Sequence, residues 1–262
     1  MNLHLYDLRT NINVLNGIAD IPALDISTGF GDASMNLRYD TSRLDSLNFG
    51  IGANLDNVNI TNFFKNFHGL LEMMPEMKNL TGMISVGIDG KGQIFPDMYL
   101  NMPSVSASLD VTGWNLKVHQ SKFIRKITRM MLIESGDDIH IKDMKVNAGI
   151  HDNLLQLNPF DFEFDKYKLH LLGINNFNGK LYYHIAVMQS PIPFPFAINI
   201  EGMFHDPKLR FGGPKYNLKR AEEVTSQIEE NNNINLVSVA RSFMGAFIHK
   251  AAEAAEDPNL SL

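Results

Sequence analysis

Asn158-Pro159-Phe160-Asp161-Phe162-Glu163-Phe164-Asp165-Lys166-Tyr167 alternates three phenylalanines with three acids. Successive side chains of a β-strand point to opposite faces, so period two gives one aromatic face and one charged face. The stretch reads as a strand of a half-exposed sheet. Just upstream, Leu155 and Leu157 lie on odd numbers, whereas Phe160, Phe162 and Phe164 lie on even ones. The slip falls at Asn158-Pro159 and predicts a bulge or strand break there.

The same alternation recurs outward in both directions. Upstream it runs through Ala33-Met35-Leu37-Tyr39, Leu47-Phe49-Ile51-Ala53, Ile84-Val86-Ile88, Val105-Ala107-Leu109-Val111 and Met144-Val146-Ala148-Ile150. Downstream it runs through Tyr167-Leu169-Leu171, Leu181-Tyr183-Ile185-Val187 and Ile198-Ile200. Turn signals at Asn16-Gly17, Gly29 to Asp32 and Asn176 to Gly179 separate these runs, and Asp89-Gly90-Lys91-Gly92 reads as another turn. Pro191, Pro193 and Pro195 cannot donate to a ladder, so that segment reads as an edge or a crossover. The recurring unit is a strand pair joined by a Gly-containing turn, as in a long meander.

Three stretches change period. Phe63, Phe64, Phe67, Leu70, Leu71 and Met74 predict a helix over 61–74, capped by Thr61 and stopped by Pro75. Phe123, Ile124, Ile127, Met130 and Met131 predict a second over 121–134, ended by Gly136. The opposite side of that helix carries Lys122, Arg125, Lys126 and Arg129, a solvated face or an anionic-lipid contact. After Gly212-Gly213-Pro214 the composition becomes helical. The chain therefore divides into a β-rich domain over 1–215 and a helical segment over 216–262.

The formal net charge of −6 argues against a nucleic-acid surface. The absence of cysteine excludes disulfides and thiolate metal sites. The nine histidines fall into no ligand spacing, so no metal site or cofactor is expected. Gly-x-Ser-x-Gly and the P-loop spacing are absent. The carboxylates are too evenly spread to mark a glycosidase pair, and with Trp114 as the one tryptophan sugar stacking has little support. No catalytic residue is assigned, and the chain reads as non-enzymatic. Asn59-Ile60-Thr61 and Asn79-Leu80-Thr81 fit the glycosylation pattern, which matters only in a secretory eukaryotic protein. The informative excess is 17 Phe and 14 Met, which suit either a core or a groove for acyl chains. No run reaches the roughly 20 apolar residues that span a bilayer. The strand-like start at Leu3-His4-Leu5-Tyr6 suggests a longer protein with its targeting segment upstream.

The order of several motifs resembles the C-terminal region of AsmA-like proteins, in the AsmA/TamB group of bacterial envelope proteins. Those motifs are Leu80-Thr81-Gly82 opening a strand series, the helix near Lys122, and Asp143-Met144-Lys145-Val146-Asn147 leading into Leu155 to Phe164. They continue with Leu171-Leu172-Gly173, Gly179-Lys180-Leu181, Ile198-Asn199-Ile200-Glu201-Gly202 and His205-Asp206-Pro207-Lys208. The asparagine-rich, aromatic-rich style looks like a Bacteroidetes-type sequence.

The resemblance implies a mainly β fold: a large curved, mostly antiparallel sheet, half-barrel or groove-like, with two inserted helices and a C-terminal helical segment. It implies a periplasmic module, anchored to the inner membrane by an upstream helix. Its role would be outer-membrane biogenesis or phospholipid handling, with acyl chains or envelope proteins as partners. The groove candidates are Phe160, Phe162, Phe164, Leu169, Leu171, Leu181, Tyr183, Ile185 and Val187. The alternative is a β-scaffold binding a protein partner by edge-strand addition, with its free edge near Pro191 to Phe196.

Overall fold

The computed structural model describes residues 5–43, 47–66, 75–96, 99–133, 138–164, 166–191 and 193–226. The chain is mainly β: one large, curved, unclosed antiparallel sheet of 13 strands. The strands are β1 (Leu5–Thr10), β2 (Asn13–Leu15), β3 (Ile18–Thr28), β4 (Gly31–Asp40), β5 (Leu47–Asn59), β6 (Leu80–Ile94) and β7 (Leu100–His119). They continue as β8 (Asp138–His151), β9 (Leu154–Phe164), β10 (Tyr167–Asn176), β11 (Lys180–Gln189), β12 (Phe196–Met203) and β13 (Asp206–Gly212). Each strand from β3 onward pairs with the next in sequence, while β1 and β2 share the free side of β3. This is the meander that evenly spaced turn signals favour.

Bulges shape the sheet. Asn57 and Asn115 hold positive φ (53° in each) where β5 slips against β6 and β7 slips against β6. Each extra residue bends its strand and adds twist. The expected slip at Asn158-Pro159 is a bulge inside a continuous β9, since Leu157 faces Gly173 and Phe160 faces Leu171.

Antiparallel order puts connections alternately at the two ends of the sheet. One end holds the β5–β6, β7–β8 and β11–β12 connections, and with them α1 (Ile60–Asn66), a 3-10 helix (Pro75–Asn79) and α2 (Lys122–Met130). Asn59, one residue before α1, caps it by accepting from the Asn62 N–H at 3.0 Å, which corrects Thr61 as the cap. Asn59 suits this because its short side-chain oxygen reaches an orphan amide of the first turn. The expected remainder of that helix, 67–74, lies outside the described residues. Ser121 caps α2 through the Ile124 N–H at 3.1 Å. The helix ends at Met130, short of Gly136, because Leu132 turns the chain with φ 55°.

Three further expectations are corrected. Asp89 to Gly92 is no turn and lies inside the 15-residue β6. Its glycines make room for neighbours: a β-carbon on Gly92 would sit 2.9 Å from the Phe49 ring. The run expected from Val105 belongs to a 20-residue β7 that begins at Leu100, with a bulge at Pro103-Ser104 where Ser104 Oγ accepts from the Gln93 N–H at 2.8 Å. The Pro191 to Phe196 segment is no edge, because it connects β11 to β12 inside the sheet. The edges are β13 at one side and β1 with β2 at the other.

Behind β10–β12 lies α3 (Leu218–Thr225), capped by Asn217. Ala221 and Thr225, four apart and so on one helical face, are its buried residues. The Asn176 amide donates to the Thr225 carbonyl at 3.0 Å. Glu201, buried on the same side, accepts from Arg220 Nε at 3.0 Å and Arg210 Nε at 2.5 Å. The rest of the expected 216–262 helical segment lies outside the described residues.

Candidate functional site

Residues directly opposite in an antiparallel ladder share a face. Leu24, Met35, Ala53, Ile88, Leu109 and Ala148 face one another in turn across β3 to β8. Leu157, Gly173, Tyr183, Ile200 and Leu209 carry the row on to β13. The row contains no charge and crosses eleven strands. At about 4.8 Å per strand gap it extends roughly 50 Å. A bilayer's hydrocarbon core is about 30 Å thick. Flanking rows repeat the chemistry, among them Leu55, Val86, Val111 and Val146. The other face is polar: Asn54, Gly87, Asp110 and Asn147 run side by side, and the Asn147 amide donates to Asp110.

Cover on the apolar face is uneven. Over β10–β12 it is a closed core, where Ile127, Met131 and Ile133, on and just beyond α2, pack on Leu169, Ile185, Val187, Phe196 and Ile198. A second, smaller core puts Ile60 and Phe64 of α1 on Leu116. Along the middle of β4–β9 the picture differs. Met35, Ile51, Ile88, Leu109, Val111, Val146 and Leu157 all keep part of their surface exposed. A depression of about 80 Å³ opens toward the β3–β5 side of this stretch, lined by Ile21, Leu24, Met35, Asn36, Leu37 and Ile51.

The nine groove candidates divide accordingly. Leu169, Leu181, Ile185 and Val187 are buried, and Phe162 and Leu171 pack on the core beneath α2. Phe160 stacks on Phe162 with ring centroids 5.8 Å apart. The side chain of Phe164 lies outside the described residues. Tyr183 covers Gly173 and donates its hydroxyl to Asn175 Oδ1 at 2.6 Å. Burial holds the Tyr183 phenol proton, pushing its pKa up to about 12. The candidates thus share one face but sit mostly at its covered end. The open stretch belongs to β4–β9, whose alternating runs were legible in sequence. Their exposure was not, because it depends on which strands the two helices cover.

His119 and His170 hold Asp138 and Asp161 at 2.6 Å each, as exposed pairs. No group of three or more metal-binding side chains occurs among the described residues. No helix among them is long and apolar enough to cross a membrane. No protein-family model matches the chain, and no curated protein or solved structure matches it either.

Proposed function

We propose that the apolar face is the inner wall of a groove that holds lipid acyl chains, and that the protein is a non-enzymatic lipid-handling module of the bacterial cell envelope. The observation that carries this reading is the uncharged row from Leu24 to Leu209, most of whose members along β4–β9 keep part of their surface exposed. Exposed apolar patches of more than a few hundred Å² are rare on soluble proteins and mark interaction surfaces. Each acyl methylene buried there contributes about 0.8 kcal/mol. The polar back face keeps such a sheet in water. On the resemblance to AsmA-like proteins, the compartment is the periplasm, with an inner-membrane anchor upstream.

The test is solvent extraction of the purified protein followed by mass spectrometry of the extract. Stoichiometric phospholipid or fatty acid supports the reading. A lipid-free protein that takes up no fluorescent fatty acid refutes it.

A second reading follows from the unclosed sheet. The free edges at β13 and at β1 with β2 offer unpaired backbone groups to a partner strand. Protection of β13 amides from hydrogen exchange by an envelope protein, with no lipid present, would favour it.

A further inference from the structure

The end of the sheet that carries α2 combines two features which the groove does not explain. The first is charge. Lys122, Arg125, Lys126 and Arg129 are all exposed on α2, in a chain of net charge −6. None of the four forms an ion pair among the described residues. The described acid following α2 in sequence, Asp138, is already held by His119 at 2.6 Å.

The second feature is exposed apolar surface around the same helix. Leu132, just past α2, is 68% exposed, and its carbonyl accepts the Tyr167 hydroxyl at 3.2 Å. Phe194 in the β11–β12 connection is 62% exposed and Phe211 on β13 is 66% exposed. Both rings lean on Phe196, with centroids 6.4 Å and 6.3 Å away. Phe196 and Tyr167 belong to the core beneath α2, so the two exposed rings and the Leu132 backbone adjoin one cluster. Pro193 and Pro195 restrict the backbone on either side of Phe194.

We propose that this end of the sheet docks on an anionic lipid bilayer, with the four cations among the headgroups and Leu132, Phe194 and Phe211 at the acyl boundary. Basic residues are attracted to an anionic lipid surface, and a few apolar side chains supply the insertion that charge alone lacks. An acidic protein surface would match the cations, yet offers nothing to three separate protruding apolar groups. The docked end is also the end at which α2 closes the apolar face.

The test is co-sedimentation of the full chain with vesicles of phosphatidylcholine alone and of phosphatidylcholine mixed with phosphatidylglycerol. The protein is expected to bind the mixed vesicles and to release as salt rises. The reversal K122E/R125E/K126E/R129E is expected to weaken binding by roughly tenfold or more. Arg125→Lys with Arg129→Lys keeps the charge and is expected to keep binding. Phe194→Ser with Phe211→Ser is expected to weaken it while leaving the salt dependence. Circular dichroism confirms that each variant is folded. Equal binding to both vesicle types, unchanged binding after the charge reversal, or preference for an oligonucleotide over the mixed vesicles overturns the proposal. Lipid content of the purified protein is expected to be the same with and without the reversal, so this proposal and the groove reading fail independently.

Discussion

Gly82 on β6 lies against the bulge at Asn115 on β7: a β-carbon on Gly82 would stand 2.7 Å from the Asn115 carbonyl oxygen. Gly82 holds φ 125° and Asn115 holds φ 53°. The same arrangement occurs two strands earlier, where a β-carbon on Gly31 (φ 152°) would stand 2.7 Å from the Asp56 carbonyl oxygen beside the bulge at Asn57. In both places a buried aliphatic residue follows the bulge, Val58 or Leu116, and then the strand leads into a helix. The sheet therefore repeats a structural device, marked each time by a glycine and by an asparagine followed by an aliphatic residue.

Gly82→Ala is expected to destabilise the protein by about 1–3 kcal/mol, through the unfavourable φ and the clash with Asn115. Gly29→Ala, where nothing lies within 4 Å, serves as the control and is expected to change little. Urea unfolding followed by circular dichroism measures both. Equal midpoints for the two variants would remove the role assigned to the bulge.

Asn176 is fully buried and uses its side chain in three directions: its oxygen accepts from the Asn178 and Lys180 N–H groups and its amide donates to Thr225. Asn176→Ala is expected to cost about 2–4 kcal/mol, since three partners, one of them the buried Thr225, lose their bonds together. Hydrogen exchange should speed up in α3 and at the β10–β11 turn before the rest of the sheet. Uniform acceleration would show that α3 is not held by this residue.

Strand parity made the fold class legible, and the parity slip at Asn158-Pro159 located a bulge correctly. Glycines misled the reading at Asp89 to Gly92. A glycine marks a turn when the backbone needs it, but Gly90 and Gly92 leave room for the side chains of Ala107 and Phe49 across the sheet. That requirement comes from neighbouring strands and has no local signature. The same holds for the groove candidates. Period two shows that Ile185 and Leu109 both face the apolar side, whereas only the placement of α2 makes one buried and the other half-exposed. The prolines at 191–195 suggest an edge or a crossover, and the structure has neither there: the segment is the loop between β11 and β12, which pair directly as antiparallel neighbours.

Tyrosine titration offers a pH test. Burial raises the Tyr183 and Tyr216 pKa values from 10.0 to about 12. A phenol whose folded pKa lies above its unfolded value contributes stability that is fully present below pH 10 and is lost as pH climbs through about 12. Ultraviolet titration is expected to show a late-ionising fraction of tyrosines coincident with alkaline unfolding. Tyr183→Phe should reduce that fraction, and a titration curve identical to wild type would contradict the assignment.

An aspartate placed on the apolar face should act differently at its two ends. Ile185→Asp buries a carboxylate in the core beneath α2 and is expected to cost about 3 kcal/mol or more. Leu109→Asp stands on the partly exposed stretch and is expected to cost under about 1.5 kcal/mol. Thermal unfolding of the two proteins checks the contrast. A Leu109→Asp protein as unstable as Ile185→Asp would mean that the middle of the sheet is a closed core.

The lipid content of purified wild-type and Leu109→Asp protein, measured by extraction and mass spectrometry on matched amounts of folded protein, tests the groove most directly. The account predicts bound acyl lipid in the wild type and its substantial loss in the variant. Wild-type protein free of lipid and unable to take up a fluorescent fatty acid, or a variant that retains its full complement, would contradict it.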